Sequence, residues 1–239
     1  MSLRDRIGER LRASRAFVAC ELLLVASCVA LQWFGVIRNP TLLILPLGWL
    51  SLWLRRSGWR AVGLRRPSLP WRFVRTLGIA IAIGVAYDAV DVFALTPLLH
   101  RLTGEPLHVE ALDDSVRGNL GALALTLVVI WIFAAFFEEL AHRGYLLNRV
   151  VDLFGGGRVS KAGRAVDVVT VVAVVLVSAL FGVVHRSQGV TGILDNGVAG
   201  LLFASLYLAS GRNLWLPILV HGVIDTTSVV LLYCGFVPT

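Results

Sequence analysis

The chain has 239 residues, of which 57% are hydrophobic, and its mean hydropathy is +0.79. These values exclude an ordinary soluble domain and indicate an integral membrane protein. The net charge of +7 does not indicate nucleic-acid binding, because the arginines concentrate at the edges of apolar segments, where cytoplasmic loops of membrane proteins carry them. The three cysteines lie in apolar surroundings without a C-x-x-C pair, so neither a disulfide framework nor a zinc cluster is predicted.

The first two apolar segments predict a pair of transmembrane helices. About 20 apolar residues cross a hydrocarbon core, and the chain offers a first span near 16–37 and a shorter one near 40–54. Residues 55–75 then hold seven arginines and no acid, and five more arginines precede residue 16. By the positive-inside rule, the N-terminus and residues 55–75 are expected in the cytoplasm, with the two spans as a hairpin. The first span is too long for a cleaved signal peptide, so we interpret it as a retained helix.

Five more apolar segments complete the bundle, with a basic segment around 155–165 expected on the cytoplasmic side. All but one of the 22 basic residues are arginine, a bias that suggests a GC-rich bacterium and therefore a bacterial inner membrane. The sequence predicts an all-α, polytopic transmembrane bundle of about seven (six to eight) spans. We divide it into N-terminal helices, 1–118, and a catalytic core, 119–239. The later spans are expected near 76–99, 119–151, 167–185, 190–209 and 214–234.

Three clusters of ionisable side chains within the predicted spans need an explanation. Each such side chain costs about 2.5–3.5 kcal/mol at the centre of a transmembrane helix and is by default functional or paired. The three clusters are Glu138, Glu139, His142 and Arg143 in the fourth span, His185 at the end of the fifth, and His221 with Asp225 in the seventh.

Helix geometry divides the first cluster. Glu139 and Arg143 are four residues apart, acid before base, so they are expected to pair and brace the helix. Glu138 is rotated from Glu139 by about 100° in an α-helix and is left for chemistry. If spans four and five are antiparallel, Glu138 and His185 lie at similar depths. The depth of His221 is not fixed in this way.

Each cluster also has a structural interpretation. Glu138 with His142 is spaced as a local pair, His185 precedes a polar segment as a helix end would, and His221 with Asp225 is spaced to hold helices together. Three polar clusters in three apolar helices are nevertheless poorly explained by packing. Together they favour a catalytic or ion-handling site.

At these residues the chain resembles the CAAX-protease and bacteriocin-processing family, also called Abi or type II CAAX prenyl endopeptidases. The family pattern is E-E-x-x-x-R, then F-x-x-x-H, then H-x-x-x-N or D. The pattern is present as Glu138 to Arg143, Phe181 to His185 and His221 to Asp225, in the family order. The resemblance covers about residues 119–234. It implies an intramembrane endopeptidase with a water-filled cavity among the later helices.

The resemblance also implies roles for the residues. Glu138 is expected to activate water, assisted by His185, while His221 and Asp225 stabilise the oxyanion. Glu139 and Arg143, with His142 nearby, are expected to support them. No cofactor is favoured, although Glu138, His185 and His221 are residue types that can bind zinc. The expected partner is a membrane-embedded or lipid-associated peptide or protein, for a bacterial source a leader peptide or membrane segment.

Two residues depart from the usual family pattern. Asp225 stands where many members have Asn, and an ionised carboxylate cannot donate a hydrogen bond to an oxyanion. Asp225 is therefore either protonated, or orients His221, or is a metal ligand. His142 stands where an aromatic residue is usual and adds a protonatable group near Glu138 or has no catalytic role.

Two other functions fit the same polar residues. One is a non-proteolytic membrane scaffold or bacteriocin-immunity protein that keeps the motifs without turnover. The other is a proton-coupled transporter, since acids and histidines within helices also form proton relays. The transporter is less favoured, because the sequence has no internal repeat of the kind many transporters show.

Overall fold

The structure, a computed structural model, describes residues 3–65, 70–107, 113–155 and 167–236. These residues form helices and connecting turns, with no β-strand among them. The helices are α1 (Leu3–Ala13), α2 (Arg15–Trp33), α3 (Thr41–Leu54), α4 (Pro70–Val90, a π-helical turn Asp91–Leu95, then Thr96–Thr103), α5 (Leu120–Phe154), α6 (Val168–Val183), α7 (Gly189–Ala209) and α8 (Trp215–Tyr233).

The predicted helical membrane bundle is confirmed. Five helices, namely α2, α4, α5, α7 and α8, are long and apolar enough to cross a membrane. The apolar helices α3 and α6 are shorter, at 14 and 16 residues, and correspond to predicted spans two and five. The third span is longer than predicted, because its helix begins at Pro70, a residue suited to the first helical turn, and continues to Thr103. The predicted basic loop at 155–165 lies, apart from Gly155, outside the described residues.

A buried ion pair joins α2 to α3. The Arg55 guanidinium donates to both carboxylate oxygens of Glu21, at 2.7 Å for the Nη2 to Oε2 contact, and to the Ser51 hydroxyl at 2.5 Å. Arg55 and Glu21 are 2% and 6% exposed. A planar guanidinium matches a carboxylate with two parallel hydrogen bonds, which satisfies both charges away from water. The predicted hairpin of the first two spans is thus fixed at its basic end.

Small residues allow α6 and α7 to approach each other closely. A Cβ atom on Gly182 would lie 2.1 Å from the carbonyl oxygen of Ile193, and one on Gly200 would lie 3.0 Å from Cα of Ser178. Small residues at helix interfaces are typical of membrane proteins, where packing rather than hydrophobic burial drives association. This contact fixes the end of α6, where His185 follows.

Close contacts also hold α8 against α4 and α5. A Cβ atom on Gly84 of α4 would lie 2.5 Å from Cγ1 of Val223, and one on Gly222 would lie 2.5 Å from the indole ring of Trp131 in α5. The Trp131 indole N–H donates to the Thr226 hydroxyl at 3.1 Å. The turn of α8 that carries His221 is therefore fixed against two helices.

Candidate active site

The helix that carries the first motif, α5, is π-helical on both sides of Glu139. The segments Ile130–Glu138 and Leu140–Leu146 of α5 are π-helical. The prediction of a 100° rotation between Glu138 and Glu139 assumed an α-helix throughout, whereas π winding places more residues in each turn. Such departures within α-helices are frequent at functional sites.

The predicted pair between Glu139 and Arg143 is present and has a third member. Glu139 Oε1 accepts hydrogen bonds from Arg143 Nη1 at 2.8 Å and from His221 Nδ1 at 3.1 Å. Arg143 Nη2 donates to the carbonyl oxygen of Gly200 at 3.1 Å. Glu139 and Arg143 are fully buried. Glu139 therefore connects the first motif to the third as well as bracing α5.

His221 lies between two carboxylates. Its Nδ1 contacts Glu139, as above, and its Nε2 lies 3.5 Å from Asp225 Oδ2. The ring stacks on Phe203, with centroids 4.6 Å apart and planes 16° apart. Of the three sequence interpretations of Asp225, this contact agrees best with orientation of His221. The role of Phe203 could not be predicted from the sequence, because it is an apolar residue within an apolar helix.

Glu138 and His185 are brought together, as their predicted depths required. Glu138 Oε2 lies 4.0 Å from His185 Nε2. The other ring nitrogen, Nδ1, lies 2.7 Å from the carbonyl oxygen of Phe181, which can only accept, so Nδ1 carries a proton. Glu138 is 7% exposed, and its Oε2 forms no hydrogen bond within the described part of the chain.

His142 does not pair with the Glu138 carboxylate. It is fully buried, and its Nδ1 lies 3.0 Å from the main-chain carbonyl oxygen of Glu138. Its ring packs edge-on against Phe181 with centroids 5.1 Å apart. The expected local side-chain pair is therefore replaced by a side-chain to main-chain hydrogen bond, and the structure gives His142 no direct contact with the Glu138 carboxylate.

Comparison with protein families identifies the part of the chain that carries these residues. Residues 120–227 match the model of a family described as type II CAAX prenyl endopeptidase Rce1-like. This range includes all three motifs. The segment is therefore similar to the Rce1-like family. This similarity supports an intramembrane CAAX-type endopeptidase, a membrane protease, at the level of the family. No curated protein and no solved structure shows a significant match to the chain.

Phe181 is the centre of the Rce1-like site. The Arg143 guanidinium lies 4.3 Å from the centroid of its ring. The rings of His142, His185 and His221 surround it with centroids 5.1, 4.7 and 6.1 Å away. The phenylalanine of the second motif thus packs between the charged pair and all three histidines, which explains why an aromatic residue is needed four positions before His185.

A turn outside the Rce1-like segment lies next to the second motif. Gln32 Nε2 donates to the carbonyl oxygen of Arg38 at 3.1 Å and to that of Val184 at 2.6 Å, so the turn between α2 and α3 is held beside the residue that precedes His185. Sequence reasoning missed this contact, because 152 positions separate Gln32 from Val184.

The Rce1-like site does not fit a metal as it is arranged. A zinc ion needs three protein donors converging on one point. His221, one of the three candidates, has its Nδ1 hydrogen-bonded to Glu139 at 3.1 Å and its Nε2 3.5 Å from Asp225. Within the described ranges no three His, Cys, Asp or Glu side chains are grouped to hold a metal ion. We derive no step through a metal.

Proposed function

We propose that the protein is an intramembrane endopeptidase of the bacterial inner membrane in which Glu138 activates a water molecule. The observation that carries this proposal is the Glu138 carboxylate. Its Oε2 is buried in a helix bundle, faces an imidazole nitrogen at 4.0 Å and has no hydrogen-bond donor among the described side chains. A buried carboxylate without a donor is costly unless it serves a function.

In this mechanism Glu138 and His185 bind the water between them. The water donates one hydrogen bond to Glu138 Oε2 and one to Nε2 of His185, whose proton is held on Nδ1 by the Phe181 carbonyl. Glu138 accepts the proton as the water oxygen attacks the carbonyl carbon of the substrate. It then returns that proton to the leaving nitrogen when the tetrahedral intermediate collapses.

His221 stabilises the negative charge of the intermediate. Its imidazolium form is favoured by the two flanking carboxylates, Glu139 and Asp225. The contact to Asp225 is longer than an ordinary hydrogen bond, so the Nε2 proton remains able to donate to an oxyanion. In this proposal Asp225 acts by orienting His221 and supplying charge.

The substrate class follows from where the site is. Glu138 and His221 are in membrane helices and are 7% and 5% exposed. A peptide bond reaches them only if its chain enters the bundle in an extended or unwound form. We therefore propose membrane-embedded or lipid-associated peptides as substrates, with leader peptides and membrane-protein segments as the first candidates.

The proposal is tested by cleavage of internally quenched apolar peptides by purified protein in detergent. We expect Glu138→Gln to abolish measurable turnover and His185→Ala to lower kcat by about 10²- to 10⁴-fold, the range of general acid–base catalysis. His100→Ala, at an exposed histidine of α4, is the matched control and should cleave normally. Full activity of Glu138→Gln would disprove the mechanism, and a wild-type protein that cleaves nothing would favour the scaffold function.

The same assay separates the glutamate mechanism from a zinc mechanism. Because His221 is engaged by Glu139 and Asp225, we expect a strong chelator to leave kcat unchanged after prolonged dialysis. Elemental analysis of the dialysed protein accompanies the assay. Loss of activity that added zinc restores would replace the glutamate mechanism with a metal-dependent one.

A further inference from the structure

A cleft of about 110 Å³ lies between α2 and α3 and includes no residue of the three motifs. Its lining comes from the first turns of α2, the last turns of α3 and Tyr145 of α5, and most of it is apolar, with Phe17, Leu24, Leu47, Leu50 and Leu54. Leu24 and Leu50 are 52% and 44% exposed, so the cleft opens on the outer surface of the bundle. A cavity of roughly this size with an apolar lining stays dry and binds apolar molecules.

One polar group in the cleft has no partner. Tyr145 is fully buried and lines the cleft, but its hydroxyl forms no hydrogen bond within the described residues. The other polar side chains of the lining, Glu21 and Ser51, accept hydrogen bonds from the Arg55 guanidinium. A buried hydroxyl without a partner is costly. The occupant of the cleft is therefore expected to be apolar and to carry a hydrogen-bond acceptor.

The end of the cleft beside the arginine-rich segment is positively charged. The Arg55 guanidinium lies 4.5 Å from the ring centroid of Phe17 in the cleft wall, and it is neutralised by Glu21. Arg12 Nη1 donates to the Arg55 carbonyl oxygen at 2.9 Å, which places this exposed arginine at the end of α3, next to Leu54. Basic pockets between membrane helices on the cytoplasmic side bind anionic lipid head groups.

Helix α1 holds Arg12 in this position. Asp5 Oδ1 lies 3.3 Å from Arg56 Nη2, and a Cβ atom on Gly8 would lie 2.7 Å from Cγ of Arg56. These contacts pack α1 across the basic end of the α2–α3 hairpin. Its outward side is exposed and carries arginines, as in helices that lie at the membrane surface.

The depth of Tyr145 matches the build of a phospholipid. Its ring packs on Gly48, where an added Cβ would lie 3.0 Å from Cγ of Tyr145. Gly48 precedes Leu54 by six residues, which is roughly 9 Å along the helix. Tyr145 therefore lies deeper in the bundle than Arg12, as the ester carbonyls of a glycerophospholipid lie deeper than its phosphate.

We propose that the cleft between α2 and α3 binds one anionic glycerophospholipid of the surrounding leaflet. An acyl chain lies in the cleft, an ester carbonyl accepts a hydrogen bond from the Tyr145 hydroxyl, and the phosphate binds at Arg12. Tyr145 follows Arg143 by two positions in α5, so the bound lipid supports the helix that carries the first motif. The site is independent of proteolysis and is tested by binding alone.

The first test compares two lipids that differ only in head group. Delipidated protein in a neutral detergent is titrated with phosphatidylglycerol and with phosphatidylcholine of the same acyl chains, and bound lipid is counted by native mass spectrometry. We expect one phosphatidylglycerol per chain, with a Kd about fivefold or more below that of phosphatidylcholine, the value of one arginine near the lipid surface. Equal affinities, or no tightly bound phosphatidylglycerol, would overturn the proposal.

Leu50→Trp tests whether the lipid lies in the cleft. The larger side chain fills the space of the acyl chain, so we expect phosphatidylglycerol affinity to fall about tenfold. Leu43→Trp is the matched control, because Leu43 is two turns earlier on the same face of α3, is 41% exposed and is not part of the cleft. It should bind as the wild type does. Equal affinities of the two variants would overturn the proposal.

Arg12→Gln separates a phosphate contact from general attraction to a basic surface. We expect about a fivefold loss of phosphatidylglycerol affinity and unchanged binding of phosphatidylcholine. Arg75→Gln is the control, since Arg75 is an exposed arginine of α4 in the same arginine-rich segment. It should change neither affinity. Equal losses in the two variants would show that no specific phosphate site exists.

Tyr145→Phe tests the hydroxyl. Because the hydroxyl has no partner in the described residues, the delipidated variant should melt at or above the temperature of the delipidated wild type. Its affinity for phosphatidylglycerol should fall about two- to tenfold, the value of one hydrogen bond. A delipidated variant that melts well below the wild type, or one that binds the lipid equally well, would contradict the assigned hydrogen bond.

Discussion

Two adjacent glutamates in α5 have opposite surroundings. Glu139 is fully buried and accepts from Arg143 and His221, whereas Glu138 has His185 at 4.0 Å as its nearest ionisable partner. One carboxylate is neutralised by partners that do not move, and the other is left to bind a ligand. Their separate contacts, rather than their residue type, therefore distinguish the supporting residue from the candidate base.

The two glutamates should differ in their effect on stability. Glu139→Gln leaves the buried Arg143 without a counter-charge, and removal of one partner of a buried pair costs about 3–5 kcal/mol. Glu138→Gln removes no paired charge of this kind, so its melting temperature in detergent should equal or exceed that of the wild type. Thermal unfolding of the two purified variants compares them directly. Equal melting temperatures would contradict the assigned difference.

Residue pairs within one helix, and between consecutive helices, could be predicted from the sequence. The spacing of Glu139 and Arg143 and the matched depths of Glu138 and His185 both correspond to contacts. The contact of His221 with Glu139 could not be predicted, because α7 intervenes and no spacing rule fixes the depth of α8. The contact of Gln32 with Val184 was missed for a similar reason, since 152 positions separate the two residues.

At the scale of helices, the apolar segments were sufficient to predict the five long apolar helices of the described residues. An apolar segment long enough to cross a bilayer has few alternatives to a helix. The π-helical winding of α5 could not be predicted from the sequence. The π-helical segments of α5 depend on contacts with other helices and leave no pattern in a run of apolar residues. The close contact between α6 and α7 could not be predicted either, because its glycines lie among large residues in the sequence.

Two glycines at that interface give a matched test of packing. Gly182→Ala places Cβ 2.1 Å from the Ile193 carbonyl oxygen, so the backbones must separate, whereas Gly197→Ala meets its nearest atom at 3.8 Å. Overpacking costs about 1–3 kcal/mol, and more when backbone must move. We expect Gly182→Ala to lower the melting temperature and to displace His185, with loss of activity. Gly197→Ala should resemble the wild type, and similar behaviour of both variants would argue against the close contact.

At the scale of the whole molecule, the site is divided between two parts of the chain. The Rce1-like segment, residues 120–227, provides the three motifs. The α2–α3 hairpin, held by the pair of Glu21 and Arg55, provides the contact of Gln32 with the main chain beside His185. The division at residue 118 remains a prediction, but the described contacts join the two parts closely at the site.

The orientation of the bundle is testable with thiol reagents. Helix α8 begins beside the arginine-rich segment, where Leu214 N–H donates to the Gly63 carbonyl, and ends at the opposite side, where Gly118 N–H donates to the Tyr233 carbonyl. We expect exposed Cys234 to be labelled by a membrane-impermeant maleimide from the extracytoplasmic side, after Cys20 and Cys28 are changed to Ser.

The control for orientation is Gly58→Cys with the native cysteines removed. Gly58 is exposed, and an added Cβ meets no atom within 4 Å. It lies in the segment predicted to be cytoplasmic, so it should react only in inverted vesicles. Labelling of both cysteines from the same side would contradict the predicted topology.

The main-chain carbonyls that hold the histidine rings have a consequence for repeated turnover. The Phe181 and Glu138 carbonyls fix the Nδ1 proton of His185 and of His142, and a carbonyl in a helix does not change its hydrogen-bonding capacity between one substrate and the next. In the proposed mechanism His185 therefore begins every catalytic cycle as the same tautomer, with its lone pair toward Glu138. No proton has to be redistributed within the imidazole before the next water binds, so product release can be followed directly by a competent resting state.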